Sequence, residues 1–246
     1  MSRIKLTLEY DGTLFSGYQV QPNKRTVQSE LENALEKIYN EKVETFSSGS
    51  TDAGVHALGA VVQFDEPKVI KNRFFADSIN AYLPDDVKVI KAEEVDEDFD
   101  ARFLAKTKTY QYKFYLSRCE RPLYKNRALR VNEEVDVNKM KQALKYLLGE
   151  HDFSSFVARK SGKTNFVRTI YSAEIFETNN KEYTFEISGN GFLYNMVRII
   201  AGTLVDVGLG KIKVEDIKEI IDSKDRTRAG KTLPAHGLYL VEVFYE

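Results

Sequence analysis

The chain has 246 residues, of which 42% are hydrophobic, and its 36 basic residues nearly balance its 37 acidic residues. This composition excludes a coiled coil, a collagenous repeat and a disordered tail, and the single cysteine, Cys119, excludes a disulfide scaffold and a structural zinc fold. No run of about 18 apolar residues and no signal-peptide pattern is present, so we expect a soluble cytoplasmic protein with no membrane partner.

The first half of the chain is predicted to alternate strands and helices in a β-α-β-β-α-β order. Alternating apolar residues indicate a strand that starts at Ile4, and Thr26 can cap a helix whose apolar residues follow helical spacing. An acidic run at residues 93–100 indicates a border between an N-terminal half, residues 1–100, and a C-terminal half, residues 101–246. The predicted strands are residues 4–10, 43–48, 60–64 and 87–92, and the predicted helices are residues 27–38 and 74–82.

The second half repeats this arrangement of strands and helices. Asp136 can cap a helix that Gly149 ends, and a later segment is apolar almost all round, which is typical of a buried helix. We therefore expect an α+β fold of two similar halves with mostly antiparallel strands. The predicted helices are residues 137–148, 192–207 and 214–221, and the predicted strands are residues 107–116, 167–176, 183–188 and 238–245.

Charge is segregated along the chain. Residues 101–130 carry a single acid, Glu120, among many basic residues and aromatic rings. Basic residues interleaved with aromatic rings suit phosphate binding and base stacking, so this pattern indicates a nucleic-acid partner. The alternative is a solvated strand face whose aromatic rings belong to the core. A second basic segment contains Arg159, Lys160, Lys163 and Arg168.

Several common kinds of site are not predicted. No segment has the glycine and lysine spacing of a phosphate-binding loop, which makes nucleotide hydrolysis an unfavoured function. The histidines His56, His151 and His236 show neither metal spacing nor an adjacent nucleophile. Each is interpreted as a hydrogen-bonding structural residue, and no metal or cofactor is expected.

One candidate catalytic residue is a carboxylate in a loop of small residues. Asp52 lies within residues 48–57, between two predicted strands, and glycines stand on both sides of it. Small neighbours let a bulky ligand approach the backbone, so the loop presents Asp52 rather than covering it. The alternative is an Asx-turn that stabilises the loop itself.

The other candidate is Arg198, the only charged residue in the apolar segment 192–200. Burying an unpaired guanidinium is very costly, so Arg198 must reach solvent, bind an anion or pair with a carboxylate, for which Asp52 is a candidate. The alternative is a side chain that extends its head group to the surface.

These residues belong to an ordered set of short motifs that spans nearly the whole chain and resembles the tRNA pseudouridine synthase A family. The most specific motif is the loop Ser50-Thr51-Asp52-Ala53-Gly54-Val55-His56-Ala57. The other motifs are Tyr10-Asp11-Gly12, Gly17-Tyr18-Gln19, Arg25-Thr26-Val27-Gln28, Leu83-Pro84-Asp85-Asp86, Ala101-Arg102-Phe103, Lys108-Thr109-Tyr110, His151-Asp152-Phe153, Arg168-Thr169-Ile170, Phe192-Leu193-Tyr194-Asn195-Met196-Val197-Arg198 and Pro234-Ala235-His236-Gly237-Leu238.

The resemblance implies an isomerase that uses no cofactor and converts uridine to pseudouridine in the anticodon stem-loop of tRNA, at positions thirty-eight to forty. Asp52 matches the family's catalytic aspartate, which attacks the target nucleotide at the uracil ring or at the anomeric carbon of ribose. Tyr110 matches the aromatic residue that stacks on the target base, and Arg198 matches the basic residue paired with the aspartate. The residues expected to contact the substrate are Tyr110, Ser50, Thr51, His56, Arg102, Lys108, Arg168 and Asn195.

The resemblance also implies a pseudouridine synthase fold, in which two α+β halves form a continuous, mostly antiparallel sheet with the active site in the cleft between them. The first half carries the Asp52 loop, and the second carries Tyr110 and Arg198. A homodimer is expected, whose two clefts face basic surface that binds tRNA. A uridine inside a stem must be extruded to reach the aspartate, at a cost of roughly a few kcal/mol.

Two residues depart from the family pattern. Ser50 stands where most members have an arginine that enters the RNA and helps to expel the target base, and Tyr18 stands where tryptophan is usual. Because serine cannot neutralise phosphate or fill a vacated base stack, either other groups distort the RNA or the reaction is less efficient. The alternative functions are a catalytically weak or inactive tRNA-binding protein of the same fold, such as a chaperone, and a structural or protein-interaction domain.

Overall fold

The computed structural model describes residues 2–69, 75–158 and 165–246, and these residues form ten strands and five α-helices joined by short 3-10 turns. In chain order the elements are β1 (Arg3–Tyr10), α1 (Val27–Tyr39), β2 (Phe46–Ser47), β3 (His56–Asp65), α2 (Phe75–Asn80), β4 (Val87–Val95), β5 (Thr107–Leu116), β6 (Leu129–Val131), α3 (Val137–Ala143), β7 (Gly149–Asp152), β8 (Val167–Asn179), β9 (Glu182–Gly189), α4 (Met196–Gly208), α5 (Asp216–Ser223) and β10 (Leu238–Phe244).

The chain divides into two compact units. Unit 1 contains the residues up to Lys106 together with Tyr239–Glu246, and unit 2 is Thr107–Leu238. The division therefore falls after Lys106 rather than after Asp100, where the acidic run ended, and the last eight residues return to unit 1. They return because β10 pairs in parallel with β3, with Tyr239 opposite His56.

Unit 1 is built on a sheet with the strand order β4-β1-β3-β10, and β2 pairs with β3. Strand β1 is antiparallel to both β3 and β4, and its alternate residues Ile4, Leu6 and Leu8 are fully buried. Helix α1 starts where expected. Thr26 accepts a hydrogen bond from the backbone of Ser29, whose side chain in turn accepts one from the backbone of Thr26, which satisfies two amides of the first turn.

Unit 2 is built on a sheet with the strand order β5-β9-β8-β7, in which neighbouring strands are antiparallel, and β6 pairs in parallel with β5. Helix α4 is almost entirely buried, as its apolar sequence predicted. The mixed α+β class with mostly antiparallel strands is confirmed in both units. Within the described ranges, no helix is long and apolar enough to cross a membrane.

Several element boundaries differ from the sequence-based predictions. Only Phe46–Ser47 of residues 43–48 pair as a strand, and the helix expected at residues 137–148 turns into a 3-10 turn after Ala143. Helix α4 starts at Met196 rather than residue 192, because Asn195 adopts a left-handed backbone conformation with φ 61°. The short strands β6 and β7 were not predicted. Phe74, Arg159, Lys160 and Lys163 lie outside the described residues.

Candidate active site

Asp52 lies on a loop between β2 and β3 whose backbone is held on both sides. The hydroxyl groups of Thr51 and Tyr10 share a buried hydrogen bond of 2.7 Å, and the amide of Tyr18 donates to the carbonyl oxygen of Thr51 at 3.0 Å. The amide of Val55 then donates to the carbonyl oxygen of Asp52 at 3.1 Å. The side chain of Asp52 stays partly exposed, while the hydrogen bonds of the neighbouring residues fix the backbone of the loop.

Gly17 packs directly under this loop. Its φ of +96° lies in the region that favours glycine, and a Cβ atom at this position would lie 2.9 Å from the carbonyl oxygen of Thr51 and 3.3 Å from the amide of Ala53. The missing side chain therefore lets the backbone of residues 16–18 support the backbone around Asp52. The expectation that the small residues of the loop let a bulky ligand approach Asp52 stays a prediction.

His56 lies at the end of the loop, as the first residue of β3, and its side chain is buried. Its ring is 2% exposed, stacks on the ring of Tyr239 at 4.7 Å, and accepts a hydrogen bond from the amide of Gly12 at Nδ1. The carboxylate of Asp11 lies 3.1 Å from the same nitrogen. The interpretation of this histidine as a hydrogen-bonding structural residue is confirmed, and its contact with substrate stays a prediction.

Tyr110 lies on β5 of unit 2, opposite Ile187 of β9. The edge of one ring meets the face of the other between Tyr110 and Phe192, with the ring centres 5.1 Å apart. This contact fixes the orientation of an aromatic ring that remains partly exposed. A flat ring held in this way can stack on another planar group.

Arg198 lies in the first turn of α4, where neutral oxygen atoms hold its guanidinium. Nε donates to the carbonyl oxygen of Leu233 at 2.6 Å, and Nη1 donates to Oδ1 of Asn195 at 2.8 Å. Carbonyl and amide oxygens orient a guanidinium and satisfy its donors without neutralising its charge. Sequence reasoning considered solvent, an anion or a carboxylate for this residue and missed these neutral acceptors. The pairing of Arg198 with Asp52 stays a prediction.

The remaining predicted site residues are distributed over the two units. In unit 1, exposed Ser50 precedes buried Thr51 on the Asp52 loop, whereas Arg102 lies on a separate turn after β4, with its guanidinium over the exposed ring of Phe103. In unit 2, Lys108 lies opposite Gly189 at the same end of β5 as Tyr110.

Arg168 lies at the start of β8, close to the Asn190–Asn195 turn that leads into α4. It donates through Nη1 to the carbonyl oxygen of Val167 at 2.6 Å, and a Cβ atom at Gly191 would lie 3.7 Å from its Nε. Burial lowers the pKa of the Arg168 guanidinium. Unit 2 thus brings Tyr110, Arg168, Asn195 and Arg198 to the segments around this turn.

Two further residues of unit 2 border Arg198 and were not selected as site residues. The hydroxyl group of Tyr112 donates to the carbonyl oxygen of Pro234 at 2.8 Å, and burial raises its pKa while the charge of Arg198 acts in the opposite direction. Burial, together with the same positive charge, lowers the pKa of His236. The motif at residues 234–238 was the signal for this segment, but the sequence indicated only a structural role for His236 and none for Tyr112. In the described part of the chain, no group of three or more His, Cys, Asp or Glu residues has the geometry of a metal site.

Comparison with known proteins identifies close relatives over the full length. A family model described as tRNA pseudouridine synthase matches residues 7–104 and 143–246, which include Asp52 and Arg198 but not Tyr110. Proteins named tRNA pseudouridine synthase A from Bacillus licheniformis and Bacillus subtilis are 48% and 47% identical over 99% of both chains. The protein of that name from Acetivibrio thermocellus is 46% identical over 100% of both chains.

Similarity to solved structures is much weaker. A crystal structure of the archaeal box H/ACA sRNP Nop10–Cbf5 complex aligns with 97% of this chain, at 11% identity and a TM-score of 0.37. This chain covers 46% of the matched chain, and a similarity at this level supports no argument about the site.

The packing of Gly17 under the Asp52 loop predicts that Gly17→Ala loosens the loop. Gly149→Ala is the matched control, because Gly149 has a similar φ of +92° but its nearest neighbour is a side-chain atom at 4.0 Å. Both variants should lose roughly 1–3 kcal/mol of stability from the strained backbone, measured by denaturant unfolding. Only Gly17→Ala should speed hydrogen exchange at the amides of Tyr18 and Val55. Equal protection of these amides in both variants would contradict the packing argument.

Proposed function

The chain belongs to the tRNA pseudouridine synthase family, and on that premise we propose that it isomerises uridine to pseudouridine in the anticodon stem-loop of tRNA, at positions thirty-eight to forty. The observation that supports the chemistry is a partly exposed carboxylate, Asp52, on a loop whose backbone is fixed at Thr51 and Val55. A nucleophile must be both accessible and held in one place, and this loop meets both needs.

In the proposed reaction, Asp52 attacks the target nucleotide at the uracil ring or at the anomeric carbon of ribose. The bond between N1 of uracil and the ribose breaks, the base turns, and C5 of uracil bonds to the same ribose carbon. The proton leaves C5, N1 gains a proton, and the Asp52 carboxylate is released unchanged. The product has the composition of the substrate, so the reaction needs no oxidant, reductant or cofactor.

Tyr110 and Arg198 have separate roles in this proposal. The ring of Tyr110, held by Phe192, stacks on the target base and assists the removal of the proton from C5. The guanidinium of Arg198, oriented by Leu233 and Asn195, is the counter-charge that keeps Asp52 ionised. Its neutral hydrogen-bond acceptors support this role, because they leave the positive charge in place.

A basic loop of unit 2, residues 117–128, is the proposed contact with the tRNA backbone. Its interior is fixed by Arg121, which pairs with Glu182 at 2.7 Å and lies over the ring of Tyr124 at 4.2 Å. The hydroxyl group of Tyr124 also donates to Glu182, and this bond is the largest cause of the lowered pKa of that carboxyl. A loop fixed in this way presents its exposed basic residues at low entropic cost. These residues include Arg118 and Lys125.

We also propose that the protein acts as a cytoplasmic homodimer, since a tRNA stem-loop is held more firmly when basic surface of a second subunit contributes phosphate contacts. No observation favours a tRNA chaperone without catalysis over the isomerase.

The proposed nucleophile predicts that Asp52→Asn abolishes pseudouridine formation while the dissociation constant for tRNA changes by only a few fold. The amide has the shape of the carboxylate but cannot attack carbon, so chemistry fails while the fold and the RNA surface remain. The measurement is tritium release from labelled tRNA, together with mass-spectrometric mapping of the modified positions. Asp222→Asn, on the exposed face of α5, is the matched control and should retain full turnover. Turnover near that of the unmodified protein in Asp52→Asn would overturn the mechanism.

The exposed serine at position 50 predicts that the reaction rate depends on whether the target uridine is base-paired. If fewer groups help to extrude the base, then an unpaired uridine should react faster than a uridine inside a closed pair, by roughly tenfold or more for each 1.4 kcal/mol of unstacking cost. Single-turnover rates on two anticodon stem-loops that differ only in this pairing measure the effect. Ser50→Arg should narrow the difference, whereas Ser50→Ala should leave it unchanged. Equal rates on both substrates in all three proteins would show that another residue displaces the base.

The basic loop predicts a salt-dependent loss of tRNA affinity in Lys125→Glu. Each lost phosphate contact lowers the slope of log affinity against log salt concentration by about 1, and affinity at low salt should fall by roughly tenfold. The control is Lys218→Glu, the same charge reversal on α5, where acids surround the lysine: Glu215, Asp216, Glu219 and Asp222. The same slope and affinity in both variants would exclude the loop as a tRNA contact.

A further inference from the structure

Part of the segment 226–237 of unit 2 runs alongside α4, with contacts from Gly230 at Thr203 to Leu233 at Arg198. We propose that Tyr112 and Arg226 are positioning residues for Arg198. They fix the two ends of residues 230–234, a short stretch in which the carbonyl group of Leu233 holds Nε of the guanidinium. The inference rests on the proposed function for its effect on catalysis, whereas the positioning itself can be measured without activity.

The contact between Leu233 and Arg198 is reciprocal. Nε of Arg198 donates to the carbonyl oxygen of Leu233 at 2.6 Å, and the amide of Leu233 donates back to the carbonyl oxygen of Arg198 at 3.3 Å. One buried residue therefore binds both the main chain and the side chain of the arginine. Any shift of the Leu233 backbone along α4 changes the direction in which the guanidinium points.

Backbone packing and Arg226 fix the first end of the stretch. A Cβ atom at Gly202 would lie 1.9 Å from the carbonyl oxygen of Lys231, and the amide of Gly230 donates to Oγ1 of Thr203 at 2.9 Å. The half-buried guanidinium of Arg226 donates to the carbonyl oxygen of Gly230 at 2.9 Å and to Oγ1 of Thr232 at 3.2 Å. A planar guanidinium that donates hydrogen bonds to two residues of one short stretch restrains the conformation of that stretch.

Tyr112 fixes the other end. Its hydroxyl group donates to the carbonyl oxygen of Pro234, the residue after Leu233, at 2.8 Å, and its ring is fully buried. A Cβ atom at Gly237 would lie 2.7 Å from Cζ of this ring, so the chain passes close over the tyrosine. Tyr112 stands two residues after Tyr110 on β5, and the same strand therefore supports the stacking ring and the arginine.

The arrangement leaves Arg198 with little freedom at Nε. Its two hydrogen bonds use two of the five N–H donors of a guanidinium, one at Nε and one at Nη1, and so define the plane of the group. A counter-charge that stabilises a reacting carboxylate acts best when its orientation is set before the reaction. Loosening either end of the stretch should therefore reduce kcat more than substrate binding.

The first test measures orientation directly. Tyr112→Phe removes a single hydroxyl group and keeps the buried ring, and the ¹⁵N signal of Arg198 Nε–H, assigned by its loss in Arg198→Lys, reports the bond to Leu233. In Tyr112→Phe, this proton should exchange with water about tenfold faster than in the unsubstituted protein. Tyr245→Phe is the matched control, since its hydroxyl group makes the same kind of bond, 2.8 Å to the carbonyl oxygen of Ala101, in unit 1. Unchanged exchange in Tyr112→Phe, or equal acceleration in Tyr245→Phe, overturns the positioning role.

The second test measures coupling to catalysis. Tyr112→Phe and Arg226→Gln should each lower kcat by about tenfold with KM within twofold, and Arg226→Lys should recover part of the loss, because an ammonium group still donates to the carbonyl of Gly230. In an Arg198→Met background, measured over long single turnovers, neither change should lower the rate further, since both act through the missing guanidinium. Additive losses in that background overturn the proposal. Full turnover in Arg198→Met alone instead refutes the assigned role of Arg198, while the exchange result stands.

Discussion

Both candidate catalytic charges depend on contacts between backbone segments where no side chain fits. Under the Asp52 loop the close contact is between Gly17 and Thr51, and beside Arg198 it is between Gly202 and Lys231. A main chain packed against a main chain cannot adjust by changing a rotamer, so each contact restrains its segment more than a side-chain contact would. The backbone contacts thus set where each charged residue lies, and for Arg198 the hydrogen bonds of its own side chain to Leu233 and Asn195 add the orientation of the guanidinium.

Local sequence patterns predicted the elements that local rules control. Strand β5 was predicted with its observed ends, and the cap at Thr26 was predicted together with the helix it starts, because alternation, helical spacing and capping are each encoded within a few residues. The start of α4 was not predicted. Apolar residues continue on both sides of Asn195, and only the left-handed backbone at that residue separates the turn from the helix.

The sequence predicted those residues of the candidate site whose side-chain chemistry differs from that of their neighbours. A carboxylate among glycines and an arginine among apolar residues both stand out from their surroundings, and Asp52 and Arg198 were selected for this reason. Leu233 and Pro234 act through backbone carbonyl groups, which every residue carries, and Tyr112 looks like any other strand aromatic. Their contribution comes from contacts between residues 35 and 122 positions apart, and no single-sequence pattern reveals such contacts.

The structure also explains why the family's usual arginine can be absent without damage to the loop. Ser50 is exposed, while the anchors of the loop begin at the next residue, with the hydroxyl and carbonyl groups of Thr51 bound to Tyr10 and Tyr18. Among the described residues, the bonds that fix the loop backbone do not involve the side chain of Ser50, so a change of side chain there leaves these anchors in place. In the proposed reaction, chemistry and RNA distortion would thus fall to different residues of one loop: the backbone anchored from Thr51 onward constrains the proposed nucleophile, Asp52, whereas the side chain of Ser50 would have a separate role.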